Sequence, residues 1–266
     1  MEYVLVFFTG CIAGIVTGLI GASGVMVIVP VLTMLGYTAS DAIGASLFID
    51  TIASLVVAWT YYQNKNLNLK QGLWITIGSV GGAQIGSLIS PLIPDVGLSG
   101  AFSMFLVITA VIFWFRGVQG REPDLNGNDA VPQQSRILKL LRSNVIVSGL
   151  LLGILVGVIS GLLGAGGGVM ILIILVFVMR YSMHEGIGTS TLIMAFTAAS
   201  GTIGHAISSN LPLKTAIYGA IGTLIGGRFA ARFANKVNEK VLSKVIGTVF
   251  GALAVMMVVT STLKKA

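Results

Sequence analysis

Charged side chains are scarce in this sequence. Only 9% of its 266 residues are Asp, Glu, Lys or Arg, whereas 55% are hydrophobic, and the mean hydropathy is +0.95. Because soluble domains carry roughly 25% charged residues, this composition excludes a water-soluble globular fold. The sequence also has a single cysteine, Cys11, which excludes a secreted domain built on disulfides. We therefore predict a membrane protein.

The residue clusters of common catalytic and cofactor sites are absent as well. The two histidines are not spaced as metal ligands, and the sequence contains no nucleophile–base pair and no phosphate-binding loop. We therefore expect no metal, no cofactor and no enzyme activity. The net charge of +7 comes from basic residues between apolar runs, where they orient a chain against the cytoplasmic leaflet. We accordingly expect no nucleic-acid partner.

Long apolar runs divide the chain into two sets of four membrane segments. A spanning helix needs about 20 residues, and runs of that quality lie at 3–36, 42–62, 71–91, 98–115, 144–180, 186–207, 213–231 and 243–263. The stretch between the sets is rich in Pro, Gly, Asn and Gln, as in a surface linker. The predicted organisation is an N-terminal membrane repeat (1–116), a cytoplasmic linker (117–142) and a C-terminal membrane repeat (143–266).

The two sets are copies of each other. Residues 14–24 (GIVTGLIGASG) match residues 157–167 (GVISGLLGAGG) at an offset of 143, and after one inserted residue the offset stays at 144. Matched polar loop residues, such as Asn66 and Asn210, exclude a chance similarity between two apolar sequences. Glycines also recur at every fourth position in several segments, which predicts helices that pack closely against one another.

The first segment of each repeat is too long for one crossing. At 1.5 Å per residue, the 38 uncharged residues between Glu2 and Asp41 would extend about 57 Å, against a hydrocarbon core of about 30 Å. Glycine-rich clusters interrupt both long segments, and consecutive glycines are poor helix interiors. We therefore expect a re-entrant hairpin of two half-helices in each repeat, with its tip inside the membrane. The clusters are Gly21, Ala22, Ser23 and Gly24 in the first repeat, and Gly164, Ala165, Gly166, Gly167 and Gly168 in the second.

The distribution of Lys and Arg favours inverted repeats. If each hairpin returns to its own side, each repeat has three full crossings, and 13 of the 16 basic residues lie on one side. If each long segment crosses once, the split is ten to six. Cytoplasmic loops carry the excess of basic residues, so we predict inverted repeats in the bacterial inner membrane with both termini periplasmic. Inverted repeats with broken helices are typical of secondary transporters, whose substrate site lies at the repeat interface.

Each hairpin tip is a candidate anion site. The second half-helices start near Val25 and Val169, and the first N–H groups of a helix have no intrahelical partner and lie at its positive end. If the repeats are inverted, the two tips converge on one place. The alternative is that the glycines serve only the hairpin turn. The hydroxyls predicted to line the site are those of Ser23, Ser46, Thr189 and Ser190.

Asp50 is the one charged residue deep inside a full predicted span. A carboxylate at that depth is costly and is a functional hypothesis by default, so we interpret it as a proton-coupling or cation-binding group. A protonated packing residue is the alternative, and the equivalent residue in the second repeat is Met194. Gln84 and Arg228 occupy equivalent positions and are candidates for the pathway, although Arg228 lies near a helix end from which it can reach the interface.

These motifs resemble the sulfite exporter TauE/SafE family. The resemblance rests on two G-L-x-G-x-G-G-G-like signatures, which begin at Gly18 and Gly161 in a 4+4 hydrophobic chain of this length. The departures are Ser23 in place of a glycine, and Ile174 at the position equivalent to Pro30. The resemblance implies that the substrate is a small sulfur-containing anion, such as sulfite or an organosulfonate like sulfoacetate.

We therefore expect an all-α polytopic carrier with eight membrane segments in two inverted repeats. Its expected partners are the lipid bilayer and a small sulfur-containing anion, which it moves by proton-coupled alternating access, alone or as a homo-oligomer. A small-anion channel is the first alternative, and a membrane enzyme without transport activity is the second.

Overall fold

The chain is all-helical in a computed structural model that describes residues 2–89, 144–163, 167–208 and 211–263, and no strand occurs within these ranges. The predicted segment 98–115 and the linker 117–142 lie outside them. A π-helix, Ile174–Val178, begins at the position equivalent to Pro30. The α-helices are α1 (Glu2–Ile20), α2 (Val25–Met34), α3 (Ala39–Gln63), α4 (Leu69–Ile89), α5 (Val145–Leu163), α6 (Gly168–Ile173), α7 (Met183–Ser208), α8 (Leu213–Ala234) and α9 (Glu239–Leu263).

Three of these helices are long and apolar enough to cross a membrane. They cover Glu2–Ile20, Asp41–Gln63 and Met183–Ile207. Such helices agree with a multi-pass membrane protein. The other described helices are shorter or less apolar, so the arrangement of eight segments stays a prediction.

Both long segments break at their glycine clusters. Gly21, directly after α1, has φ +62°, and Gly167, directly before α6, has φ +63°, a left-handed backbone that glycine adopts without a steric penalty. In the first repeat, Gly24 packs against Ala13, and the Tyr37 hydroxyl donates to the Glu2 carboxylate at 2.6 Å. The chain after α2 has therefore returned to the end of α1 at which α1 began.

The second half-helix of each repeat also ends in the same way. A residue with a left-handed backbone is followed by a tyrosine, and then by a hydroxyl residue that caps the next helix. These residues are Gly36, Tyr37 and Thr38 in the first repeat, and Arg180, Tyr181 and Ser182 in the second. The capping hydroxyls each accept an N–H bond of 3.2 Å from the residue three positions later, as N-caps do.

The glycine ladders join the two repeats. In the pair of α1 and α8, Gly14 packs against the backbone at Thr223, and in the pair of α4 and α5, the equivalent Gly157 packs against the backbone at Ser79. A Cβ at either glycine would lie less than 3 Å from the opposing backbone atoms. The predicted packing role of the ladders is therefore confirmed, and each contact has its counterpart in the other repeat.

We expect Gly153→Ala to destabilise the protein, because its new methyl group would lie 3.0 Å from the Ile75 Cα atom. Overpacking of this kind costs about 1–3 kcal/mol. The matched control is Gly81→Ala, also in the α4–α5 region, where a Cβ has no heavy atom within 4 Å. Because alanine has a higher helix propensity than glycine, the control substitution is expected to stabilise the protein by up to about 1 kcal/mol. Thermal unfolding in detergent measures both, and equal melting temperatures would contradict the packing role.

The equivalent helices α3 and α7 pack against each other in opposite directions. Near the start of α3, Leu47 lies beside Gly201, towards the end of α7. Near the end of α3, Tyr61 lies beside Gly188, towards the start of α7. This pair of corresponding helices therefore runs antiparallel.

Candidate functional site

A buried carboxylate lies at the first glycine cluster, the predicted tip of the first hairpin. Asp50, near the middle of α3, is 1% exposed and accepts hydrogen bonds from the Ser23 hydroxyl and, at 3.0 Å, from the Gly24 backbone N–H. The Ser23 oxygen in turn accepts a bond of 3.2 Å from the Val25 N–H. Asp50 therefore caps the N-terminus of α2, where a negative charge is stabilised by the helix dipole and by N–H groups without intrahelical partners.

The second tip lies against the first. A Cβ at Gly168 would collide with the carbonyl oxygen of Gly21 and would lie 3.3 Å from the Ala22 Cα atom. On its other side it would lie 2.5 Å from the sulfur of Met194, the residue equivalent to Asp50. The two tips thus meet, with a carboxylate beside one and a thioether beside the other. Ala22 and Val169 are buried at this contact region, while Gly164, Ala165 and Gly166 lie outside the described residues.

Of the predicted hydroxyls on the following helices, Ser190 reaches the tip. A Cβ at Gly21 would lie 2.8 Å from the Ser190 oxygen, whose own proton goes to the Ile187 carbonyl at 3.0 Å. The equivalent Ser46 is fully buried and donates to the Ile43 carbonyl at 2.9 Å. The residue equivalent to Gly21 in the second repeat is Gly164, which lies outside the described residues. A contact of Ser46 with the second tip is therefore not described.

Among the described residues, Thr189 bonds to the loop before α4. Its hydroxyl accepts a bond of 3.1 Å from the Asn68 N–H and donates to the Asn68 carbonyl at 3.3 Å. Thr189 therefore fixes the loop before α4. The side-chain amide of Gln84 donates to Ser200 on α7, at 2.8 Å to its carbonyl and 2.7 Å to its hydroxyl. Arg228, at the equivalent position of α8, is exposed on the outside of the helix bundle.

Ser54 is a polar residue of this region that the sequence analysis missed. It is fully buried, and its hydroxyl has no hydrogen-bond partner among the residues that the structure describes. It follows Asp50 by four positions on α3, so the two side chains share one helix face. The spacing of Ser46, Asp50 and Ser54 at every fourth position is the signal that could have found it. Within the described ranges, no three metal-binding side chains come together.

The comparisons with known proteins agree with the membrane character. Residues 6–257 match the family described as Sulfite exporter TauE/SafE. The probable membrane transporter protein YunE of Bacillus subtilis is 27% identical over 220 residues, which cover 79% of this chain and 81% of the relative. YdhB of the same organism is 28% identical over 225 residues, 84% of this chain and 86% of the relative. MJ0441 of Methanocaldococcus jannaschii is 26% identical over 209 residues, 76% and 71% respectively. No solved structure matches the chain.

Proposed function

The chain belongs to the sulfite exporter TauE/SafE family of membrane transporters, and from that premise we propose that it is a proton-coupled carrier for a small sulfur-containing anion in the bacterial inner membrane. The observation that carries this proposal is the carboxylate of Asp50, which accepts from the Gly24 N–H and the Ser23 hydroxyl directly before α2. The protein thus places an anionic group of its own at the tip that the sequence marks as an anion site.

The proposed substrate site is formed by residues 21–25 and 164–169, together with the hydroxyls of Ser23 and Ser190. A sulfonate or a sulfite offers several acceptor oxygens, and a hydrogen bond to a charged group contributes about 1.5–3 kcal/mol net. After the free-energy cost of association is subtracted, a few such bonds give a dissociation constant in the micromolar to millimolar range. The glycine at position 168 lets the two tips approach each other, because a Cβ there would collide with the Gly21 carbonyl oxygen.

Asp50 is proposed to couple the anion to a proton by competition. When ionised, its carboxylate holds the Ser23 hydroxyl and the Gly24 N–H, the same donors that the substrate needs. Protonation removes the negative charge from the site, so the substrate can approach without like-charge repulsion. Proton and anion therefore bind together, and the affinity for the anion falls as pH rises.

A binding screen tests this function. Purified protein is heated in the presence of sulfite, thiosulfate, sulfoacetate, taurine, sulfate or simple carboxylates, since a ligand of the folded state raises the melting temperature by mass action. We expect a rise with at least one sulfur-containing anion, larger at acid pH than at alkaline pH. A protein stabilised by carboxylates alone, or by none of these anions, would contradict the proposed substrate class.

Inverted repeats with re-entrant hairpins are part of the proposal. Two contacts support them: α3 and α7, equivalent helices, run antiparallel, and Tyr37 reaches back to Glu2. Single crossings by both long segments would instead orient equivalent helices in the same direction, because each repeat would then have an even number of crossings.

Sided labelling tests this topology. Single cysteines at Tyr3 and Asp41, in a Cys11→Ala background, are expected to react with an impermeant thiol reagent added to intact cells. A cysteine at the exposed Lys236 is expected to react only after permeabilisation. If Tyr3→Cys reacts and Asp41→Cys does not, the first segment crosses the membrane and the hairpin is wrong.

A further inference from the structure

The repeat places a tyrosine directly after each hairpin. Tyr37 and Tyr181 are separated by the repeat offset of 144 residues, and each follows a residue with a left-handed backbone, Gly36 and Arg180 respectively. Each also precedes a capping hydroxyl of the next helix. The two tyrosines are therefore equivalent in local structure as well as in sequence.

Both tyrosine hydroxyls bond to the opposite repeat. The Tyr37 hydroxyl lies 2.8 Å from the hydroxyl of Thr215, at the start of α8. The Tyr181 hydroxyl donates at 3.1 Å to the carbonyl of Asn68, directly before α4. Because α4 and α8 are equivalent helices, the two bonds connect corresponding places. Tyr37 also donates to Glu2, and this bond raises the pKa of its hydroxyl, which therefore keeps its proton across the physiological range.

These two contacts lie at opposite ends of the molecule. Tyr37 directly precedes the capped start of α3, Tyr181 directly precedes the capped start of α7, and these helices run antiparallel. The 25 residues of α3 extend about 37 Å at 1.5 Å per residue. Asp50 lies near the middle of that length and is 1% exposed. The candidate site is thus buried between two equivalent inter-repeat contacts, one towards each end.

We propose that the Tyr37–Thr215 and Tyr181–Asn68 hydrogen bonds are latches that close the two entrances of the carrier, and that they release in turn during transport. Both hydrogen bonds are formed in this structure, in which Asp50 is buried. An alternating-access carrier passes through a closed state between two states that are each open to one side. The inference rests on the proposed function, to which it adds the residues that control access.

Removing one latch should favour opening at that end alone. A hydrogen bond contributes modestly to a conformational equilibrium, so the loss of one hydroxyl is expected to raise the open population about two- to tenfold. Tyrosine to phenylalanine keeps the ring and its packing. The inverted equivalence of the tyrosines predicts opposite sidedness for the two variants, which a general loss of stability would not produce.

The experiment uses Ser54→Cys as an interior reporter in a Cys11→Ala background, because Ser54 is buried one helical turn from Asp50. The full-length protein is reconstituted, and an impermeant maleimide is added from one side at a time. We expect Tyr37→Phe to raise the labelling rate from the side of the N-terminus, and Tyr181→Phe to raise it from the opposite side. Tyr62→Phe, at an exposed tyrosine of α3, is the matched control and should change neither rate.

Unchanged labelling in both tyrosine variants would overturn the latches, and so would equal increases from both sides. The labelling needs no bound substrate, so these results are independent of the anion screen. If the parent protein binds and transports a sulfur-containing anion while the labelling pattern fails, the latch inference alone is wrong. If the labelling pattern holds while no anion binds, the proposed substrate class is wrong instead.

Discussion

Asp50→Asn is expected to abolish accumulation of substrate driven by a pH gradient, while exchange of substrate across the membrane is partly retained. The substitution keeps the size of the side chain and one of its two acceptor oxygens at the tip, but it removes the group that ionises. Without a proton to bind or release, the anion can still move with its concentration gradient, but a pH gradient no longer drives it uphill.

The same substitution is also expected to change how the affinity for the anion depends on pH. In the parent protein, affinity for the anion should fall by up to about tenfold per pH unit once Asp50 is ionised, the slope for one linked proton. In Asp50→Asn the affinity should be nearly independent of pH. The matched control is Asp41→Asn, at the half-buried start of α3, which should keep the slope of the parent. An unchanged pH profile in Asp50→Asn would identify Asp50 as a packing residue.

Ser23→Ala is expected to weaken anion binding about 10- to 100-fold. The Ser23 hydroxyl donates to Asp50 and accepts from the Val25 N–H, so it is the side-chain donor at the tip. A hydrogen bond to a charged group contributes about 1.5–3 kcal/mol, and about 1.4 kcal/mol corresponds to a factor of ten. The effect should be measured by titration in the Asp50→Asn background, where no carboxylate competes for the hydroxyl.

The control for Ser23→Ala is Thr51→Val, next to Asp50 on α3. The Thr51 hydroxyl donates at 2.8 Å to the Leu47 carbonyl of its own helix and has no part in the proposed site. Thr51→Val should leave the affinity within about threefold of the parent, the range of a distant surface or helix substitution. If Ser23→Ala and Thr51→Val lose the same affinity for the anion, the loss comes from a less stable helix and not from the missing Ser23 hydroxyl.

Local features of the fold were predictable from the sequence. The break after Ile20 falls at the glycine cluster, because Gly21 adopts a left-handed backbone that ends a helix. The family and the repeat were predictable for a similar reason, since both rest on residues compared directly along the chain. The capping turns at Thr38 and Ser182 follow the same local rules and could have been predicted as well.

The contacts of the site could not be predicted in the same way. Asp50 lies 27 residues from Ser23, and their contact depends on how α3 packs against the tip, so the sequence predicts a separate role for each of them. The same applies to Thr189, which neighbours Ser190 in sequence but faces the Asn68 loop, since adjacent helix positions point about 100° apart.

The glycines at the tips also make close packing contacts that the glycine-rich sequence pattern alone does not predict. A Cβ at Gly24 would lie 2.5 Å from the Cβ of Ala13, and Gly167 has a left-handed backbone that a side chain would strain. Substitutions at these two glycines therefore disturb the local packing of the helix breaks as well as any approach of a ligand. Ser23 and Asp50 separate the two effects better, because their replacements change hydrogen bonds without adding bulk.

Counterflow in proteoliposomes tests the carrier function most directly. Vesicles containing the purified protein are loaded with an unlabelled sulfur-containing anion chosen from the binding screen, and labelled anion is added outside at low concentration. We expect a transient, saturable accumulation of label. Unlabelled anion added outside should compete it away, and Ser23→Ala should reduce it. Linear, unsaturable entry without an overshoot would identify a channel, and no entry above protein-free vesicles would contradict transport of that anion.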